Sequence, residues 1–312
     1  GDLEFSVLFH GVYVAPTATV TDSIVMPGAV IEEGAKVQYV IVAENAVIGK
    51  NCVIGKRPED MENRDDWGVA GIIFAYAHEE RVRDLTELRV MASVPFGGRY
   101  RLVDFTLSNM VNSGLNKVGI ITEDNYQSLM DHLGSGKAWD LSRKREGLYL
   151  LPPFGKSTSR TDGKIESLDS IRRFLKNSLE EYVILSDCDM ICNIDYREAL
   201  EQHMRQNADI TVIYRHGTSP DVDRNNIYMV DPENRIRELL LHRGSEHGVN
   251  YGIGMYILSR ELLLQLVEGC MSRNEYDFDK DMVQRVIPEL RVMGYEFKGI
   301  AYQISSFEAY FN

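Results

Sequence analysis

Basic residues are what this 312-residue chain has too few of: 34 Lys and Arg stand against 47 Asp and Glu, a formal net charge of −13. An acidic surface repels polyanions, so nucleic acid and anionic membranes are disfavoured as partners. A phosphorylated ligand would need a locally basic pocket. Cysteine is scarce too. Cys52, Cys188, Cys192 and Cys270 show no zinc-site spacing, and no histidine pair accompanies Cys188 and Cys192. Buried free thiols are the expectation. No apolar run approaches the roughly 20 residues that a membrane span needs. No secretory leader pattern opens the sequence, so the cytoplasm is the expected compartment. What remains is ordinary for a globular protein: 44% apolar and 26% charged residues, and length enough for two domains.

The first 56 residues repeat. Val14, Val20, Val25, Ile31, Val37, Val42, Ile48 and Ile54 recur at steps of six, five, six, six, five, six and six. A small residue follows most of them by four: Ala18, Ala29, Ala35, Ala46 and Cys52. Ile24 and Ile41 take that place in two hexads, so the rule is a preference. This is the hexapeptide signature of a parallel β-helix. One aliphatic per hexad points inward, and the small residue lets the coil turn tightly. Residues 1–13 are less regular and read as a damaged coil. Residues 57–69 are polar and without period, so they read as a linker. From residue 70 to 312 the pattern switches. Apolar strands (Ala70–Ala75, Lys117–Thr122, Tyr182–Ser186, Ile210–Tyr214) alternate with helical stretches (Arg101–Ser113, Tyr126–Leu133). That alternation predicts an α/β domain, a mostly parallel doubly wound sheet covered by helices.

Within it, residues 71–109 hold the most information: GIIFAYAHEERVRDLTELRVMASVPFGGRYRLVDFTLSN. An apolar strand runs into a turn made of Tyr76, Ala77, His78, Glu79 and Glu80. Backbone amides cradle phosphate where glycines let the chain approach closely and no fixed negative charge competes. This turn has no glycine and two adjacent glutamates.

The segment VPFGGRYRLVDFTLSN, Val94–Asn109, makes residues 71–312 resemble the catalytic domain of bacterial glucose-1-phosphate adenylyltransferase (ADP-glucose pyrophosphorylase). The resemblance implies a phosphate loop Leu-Ala-Gly-Gly-x-Gly-Ser/Thr-Arg-Leu. Counted back from Gly98, Arg81 falls on its catalytic arginine, while the paired glycines have become Tyr76 and Ala77. A lysine after the loop has become Met91. Such changes are similar to those of GlgD-type subunits, degenerate at the catalytic site. The resemblance also implies a left hand for the β-helix. It places the catalytic domain first and the β-helix last, the reverse of the order here. A permuted chain and joined pieces of a longer one both fit that reversal.

Site residues follow from the same resemblance. VILSDCDMICNIDY, Val183–Tyr196, places Asp189 on the position of a magnesium-binding aspartate, with Asp187 as competitor. AYQISSFEAYF, Ala301–Phe311, places Gln303 where a second metal aspartate would stand, so any Mg2+ would be held weakly. For the sugar phosphate, His242 stands in place of the clamping lysine, and Gly254 and Lys280 match. For the nucleotide, Glu123 replaces a base-reading glutamine, and Gly163–Leu168, GKIESL, replaces Gly-Thr-Ala-Asp-Ala-Val. Arg99 and Arg101, beside Gly97 and Gly98, read as the architecture of a helix start.

Three functions fit these observations. The first is a catalytically impaired regulatory subunit that joins a catalytic adenylyltransferase subunit in a hetero-oligomer, a tetramer by resemblance, and binds nucleotide or sugar phosphate. The second is an active adenylyltransferase with altered residues. The third is a non-enzymatic β-helix assembly protein.

Overall fold

Hexads of this kind cannot bury their single aliphatic as isolated strands, so they stack. A computed structural model describes residues 1–4, 6–38, 40–55, 68–76, 82–142, 146–152, 163–219, 226–241 and 247–311. The chain divides into two compact units, Gly1–Asp65 and Asp66–Asn312. In the first, β1 (Asp2–Glu4), β2 (Val7–Leu8) and β3 (Tyr13–Val14) form one coil. β4 (Thr19–Thr21), β5 (Ile24–Val25) and β6 (Val30–Ile31) form the next; β7 (Lys36–Gln38), β8 (Ile41–Val42) and β9 (Val47–Ile48) the third; β10 (Val53–Ile54) opens a fourth. The coils stack as three parallel sheets, β1-β4-β7-β10, β2-β5-β8 and β3-β6-β9. Asp2 pairs with Thr19, Thr19 with Lys36 and Lys36 with Val53, the register that steps of six, five and six require.

Val20, Val25, Ile31 and Val37 are fully buried along the axis, and Ala18, Ala29 and Ala35 are buried at the corners. Ile24 breaks the small-residue rule for a geometric reason. Its side of the coil has the five-residue step, so it is the outward residue of β5 and 38% exposed. That short corner is closed by serines instead. Ser6 Oγ accepts from the Ser23 amide, and Ser23 Oγ accepts from the Val40 amide, each one coil further on. Residues 1–13 are not a damaged coil. They keep the full backbone register, because the ladder hydrogen bonds ignore side-chain type, and only the packing loosens: Leu3, on an inward column, is 52% exposed.

Residues 57–67 of the expected linker lie outside the described residues. The second unit runs β11 (Val69–Phe74), α1 (Arg83–Thr86), β12 (Pro95–Phe96), β13 (Tyr100–Arg101), α2 (Leu102–Asn112), β14 (Lys117–Ile121), α3 (Gln127–Leu133) and β15 (Gly147–Leu151). It continues α4 (Lys164–Ser170), α5 (Arg172–Lys176), β16 (Tyr182–Asp187), β17 (Met190–Cys192), α6 (Tyr196–Arg205), β18 (Ile210–Gly217), β19 (Ile227–Val230) and β20 (Ile236–Leu240). It ends β21 (Val249–Ser259), α7 (Arg260–Ser272), β22 (Val292–Glu296), β23 (Ala301–Gln303) and α8 (Phe307–Phe311). The main sheet has the order β15-β14-β11-β16-β21-β18-β22. β15, β14, β11 and β16 are parallel; β21 is antiparallel to both its neighbours.

β11 shows why the strands are apolar throughout. Val69 and Ile73 pack with α2 and α6 on one face of the sheet, whereas Ile72 and Phe74 pack with α4, α5 and α7 on the other. A strand buried on both faces reads as a continuous apolar run. Gly71 admits α2 closely: a Cβ there would lie 2.4 Å from Met110 Sδ. α2 begins where Asp104 accepts from the Arg101 amide and ends at Gly114, with φ 88°. Arg101 itself ties the Ser93 carbonyl and Ser128 Oγ, a structural task.

One core group makes the unit acid-sensitive. His203 on α6 is 2% exposed, its Nδ1 2.8 Å from Thr211 Oγ1 on β18. Burial lowers its pKa to about 4, against a weaker upward pull from Asp209. The unfolded chain holds this proton up to about pH 6.5, so it binds more protons than the fold between there and about pH 4. Stability is therefore present above that window and lost as pH falls through it, by on the order of 3 kcal/mol. Denaturant midpoints at pH 7 and 4.5 should diverge less in His203→Gln than in the wild type. Equal pH slopes in the two proteins would remove His203 as the cause.

Candidate functional site

Parallel strands deliver side chains to one edge of a sheet, where α/β proteins bind ligands. Here β11 and β16 end side by side, Phe74 opposite Asp187. β21 passes β16 in the other direction and brings Gly254 against Asp187. Gly254 has φ +70°, and a Cβ there would lie 2.3 Å from Asp187 Oδ2. Its lack of a side chain is thus required twice, by conformation and by space.

Asp187 Oδ2 accepts a 2.7 Å ion pair from Lys164 Nζ, with both side chains about four-fifths covered (21% and 22% exposed). Lys164 is the first residue of α4. Its ammonium lies 5.3 Å from the ring centre of Phe74 and 6.0 Å from that of Phe278. Burial opposes its charge, but Asp187, Asp279 and Asp189 together hold its pKa above the usual lysine value. Asp279, in the π-helical stretch Phe278–Gln284, accepts from the Tyr256 hydroxyl, which also lies 3.4 Å from the Tyr228 hydroxyl.

Asp189 is buried, and its Oδ2 accepts from Gln303 Nε2 at 3.0 Å. The two residues are 114 apart in the chain. The β17–β23 pairing brings them together, and the Ile304 amide donates to the Asp189 carbonyl. Burial first, and Asp187 second, push the Asp189 pKa up to about 6, against the Gln303 hydrogen bond and Lys164. The two positions that the resemblance matched to metal carboxylates are therefore in contact, as an acid and an amide.

On the nucleotide side, Tyr76 is buried rather than looped out. Its hydroxyl donates to Ser167 Oγ at 2.7 Å, and its ring meets Phe74 edge-on. Burial pushes the phenol pKa up, and the charges of Glu123 and Asp187 add to that. Glu123, half-buried, follows β14 at the same edge. Lys280 is exposed, with its backbone amide capped by Asp277. Ala77, Arg81 and His242 lie outside the described residues. Met91 is 1% exposed, packed in the core beside α2.

Magnesium, implied by the resemblance, does not fit the described residues. None of their His, Cys, Asp and Glu side chains form a group of three able to hold a metal ion. Asp187, Asp189 and Asp279 each accept from a protein donor instead: Lys164, Gln303 and Tyr256.

Sequence reasoning passed over Lys164 as a site residue. The signal was present: GKIESL carries a lysine where the matched segment has threonine, and Asp187 was already in view as a strand-end carboxylate. Neither residue reveals alone that the two charges meet.

The family described as "Nucleotidyl transferase" matches residues 70–303. A second, "GlmU-like, C-terminal hexapeptide", matches residues 1–74. The glycogen biosynthesis protein GlgD of Bacillus subtilis (strain 168) is 31% identical over 244 residues, 78% of this chain and 61% of that protein. A glucose-1-phosphate adenylyltransferase of Thermosipho africanus (strain TCF52B) is 32% identical over 248 residues, 78% of this chain and 60% of that enzyme. A GlgD of Geobacillus stearothermophilus is 41% identical over 153 residues, 48% of this chain and 45% of that protein. The chain spans less than two thirds of the length of these relatives. Among the described residues, no helix is long and apolar enough to cross a membrane.

Proposed function

Because the chain belongs to the nucleotidyl transferase family, we propose that it is a catalytically impaired member. In this reading it regulates a glucose-1-phosphate adenylyltransferase in cytoplasmic glycogen synthesis. The observation that carries the reading is the Asp189–Gln303 contact. Phosphoryl transfer needs a cation bridging the phosphates, usually held by carboxylates. An amide at 303 offers one neutral oxygen, and here its nitrogen is turned to Asp189.

The working assembly in this reading is a hetero-oligomer with the catalytic subunit, a tetramer. Two outward columns of the β-helix support an assembly role, because they carry exposed apolar residues: Tyr13 and Val47 on one side, Val7 and Ile24 on another. Nucleotide or sugar phosphate binding at the sheet edge supplies the control. A subunit without chemistry changes its partner only by binding the partner's active and inactive states unequally.

The test mixes the full chain with a catalytic glucose-1-phosphate adenylyltransferase from the same cell across a range of ratios. Co-elution on sizing and a several-fold change in ADP-glucose formation, or in its response to metabolites, are expected. A chain that never co-elutes and leaves the kinetics unchanged at every ratio removes the regulatory reading.

A further inference from the structure

Asp187 closes a strand at the ligand-binding edge of the sheet, and the charge it faces is a lysine, Lys164, on which Asp279 and Asp189 also act. We propose that the Lys164 ammonium is a resident replacement for the divalent cation of nucleotidyl transfer, and that it makes this sheet edge metal-independent. The inference concerns the cation of the site and stands whether or not the chain regulates a partner.

Lys164 is seated rather than passing through. Its Nζ is 2.7 Å from Asp187 Oδ2. Two aromatic rings, Phe74 and Phe278, flank it, surroundings that suit an ammonium better than an oxygen-seeking metal ion. Its place is fixed by Gly163, the cap before α4: a Cβ there would lie 3.0 Å from Tyr276, on both its Cβ and its carbonyl oxygen. Gly254 leaves Asp187 the space to take this position. A metal ion on Asp187 would have to share its carboxylate with a fixed positive charge. It would also find Asp189 and Asp279 already accepting from Gln303 and Tyr256. Lysine differs from a metal ion in one further respect: it is covalently attached, so no chelator removes it.

Manganese titration of the full chain, followed by the EPR signal of the free ion, tests this directly. Wild-type protein is expected to leave Mn2+ free up to about 1 mM, far weaker than a dedicated carboxylate site. Lys164→Gln removes the charge at similar size. It should take up one Mn2+ per chain at least about tenfold more tightly, a gain lost again in Lys164→Gln/Asp187→Asn. Lys164→Arg, which keeps the charge, should behave as wild type. Melting temperature gives a second readout: Mn2+ should raise it in Lys164→Gln and not in wild type. Two results overturn the proposal. One is wild-type protein binding a single Mn2+ at micromolar concentration and losing it in Asp189→Asn. The other is Lys164→Gln, folded by circular dichroism, gaining no affinity. Should Lys164→Gln fail to fold, Lys164→Met takes its place in the same titration, and Mn2+ binding by wild type or by Lys164→Arg ends the proposal.

Discussion

Alone, this chain is expected to form ADP-glucose at least about a thousandfold more slowly than the adenylyltransferases it resembles. Each missing preorganised charge at a phosphoryl-transfer site costs about two to three powers of ten, at roughly 1.4 kcal/mol per power. Two losses are in view at the sheet edge. Gln303 donates to Asp189 in place of a second carboxylate, and Lys164 holds Asp187. Tyr76 adds a third: where a glycine would open the phosphate loop, a buried phenol is tied to Ser167. Steady-state ADP-glucose formation by the purified chain measures the deficit, and turnover within tenfold of a catalytic relative would refute it. Restoration is a sharper test. Gln303→Asp and Lys164→Thr should do little singly and should recover activity only together, with loop glycines added. Residues that act as one unit are not additive. Met91→Lys does not belong in that set. Met91 is core, and a lysine there would be a buried charge with apolar neighbours.

Met91 marks the limit of what residue types alone can tell. Matched by position, it read as the loss of a lysine after the loop. Its burial comes from the packing of α2 over the turn Met91–Ser93, which spacing does not show. The β-helix was far more legible. Its register is set by local repetition, and each inward valine or isoleucine reports the same geometry. Even there the five-residue corner reassigned Ile24 from corner to outer face, because serine hydrogen bonds do the corner's work. The sheet strands were legible because burial on both faces leaves an unbroken apolar run. Asp189 and Gln303 were found only through the resemblance, and the β17–β23 pairing places them in contact. The Lys164–Asp187 pair was not found. An ion pair between a helix start and a strand end leaves no periodicity, and each residue alone reads as a solvated surface charge.

Gly254→Ala is expected to destabilise the second unit by about 2–5 kcal/mol. Two costs combine. An alanine held at φ +70° carries roughly 1–2 kcal/mol of backbone strain. The added methyl would also lie 2.3 Å from Asp187 Oδ2 and 2.9 Å from its Cγ. The carboxylate cannot yield freely, because β16 fixes its backbone against β21 and Lys164 holds its oxygen. Relief therefore means moving Asp187 off Lys164, which strands a mostly covered ammonium among aromatic rings at roughly 1–3 kcal/mol. The two costs can be separated by a double-mutant cycle. In an Asp187→Ala background the ion pair is already gone and the oxygen is absent. Gly254→Ala should then cost only the strain, about 1–2 kcal/mol. Urea midpoints of the four proteins measure the coupling. Equal costs in the two backgrounds would mean that Gly254 serves the backbone alone, and that the close approach to Asp187 is incidental to the site.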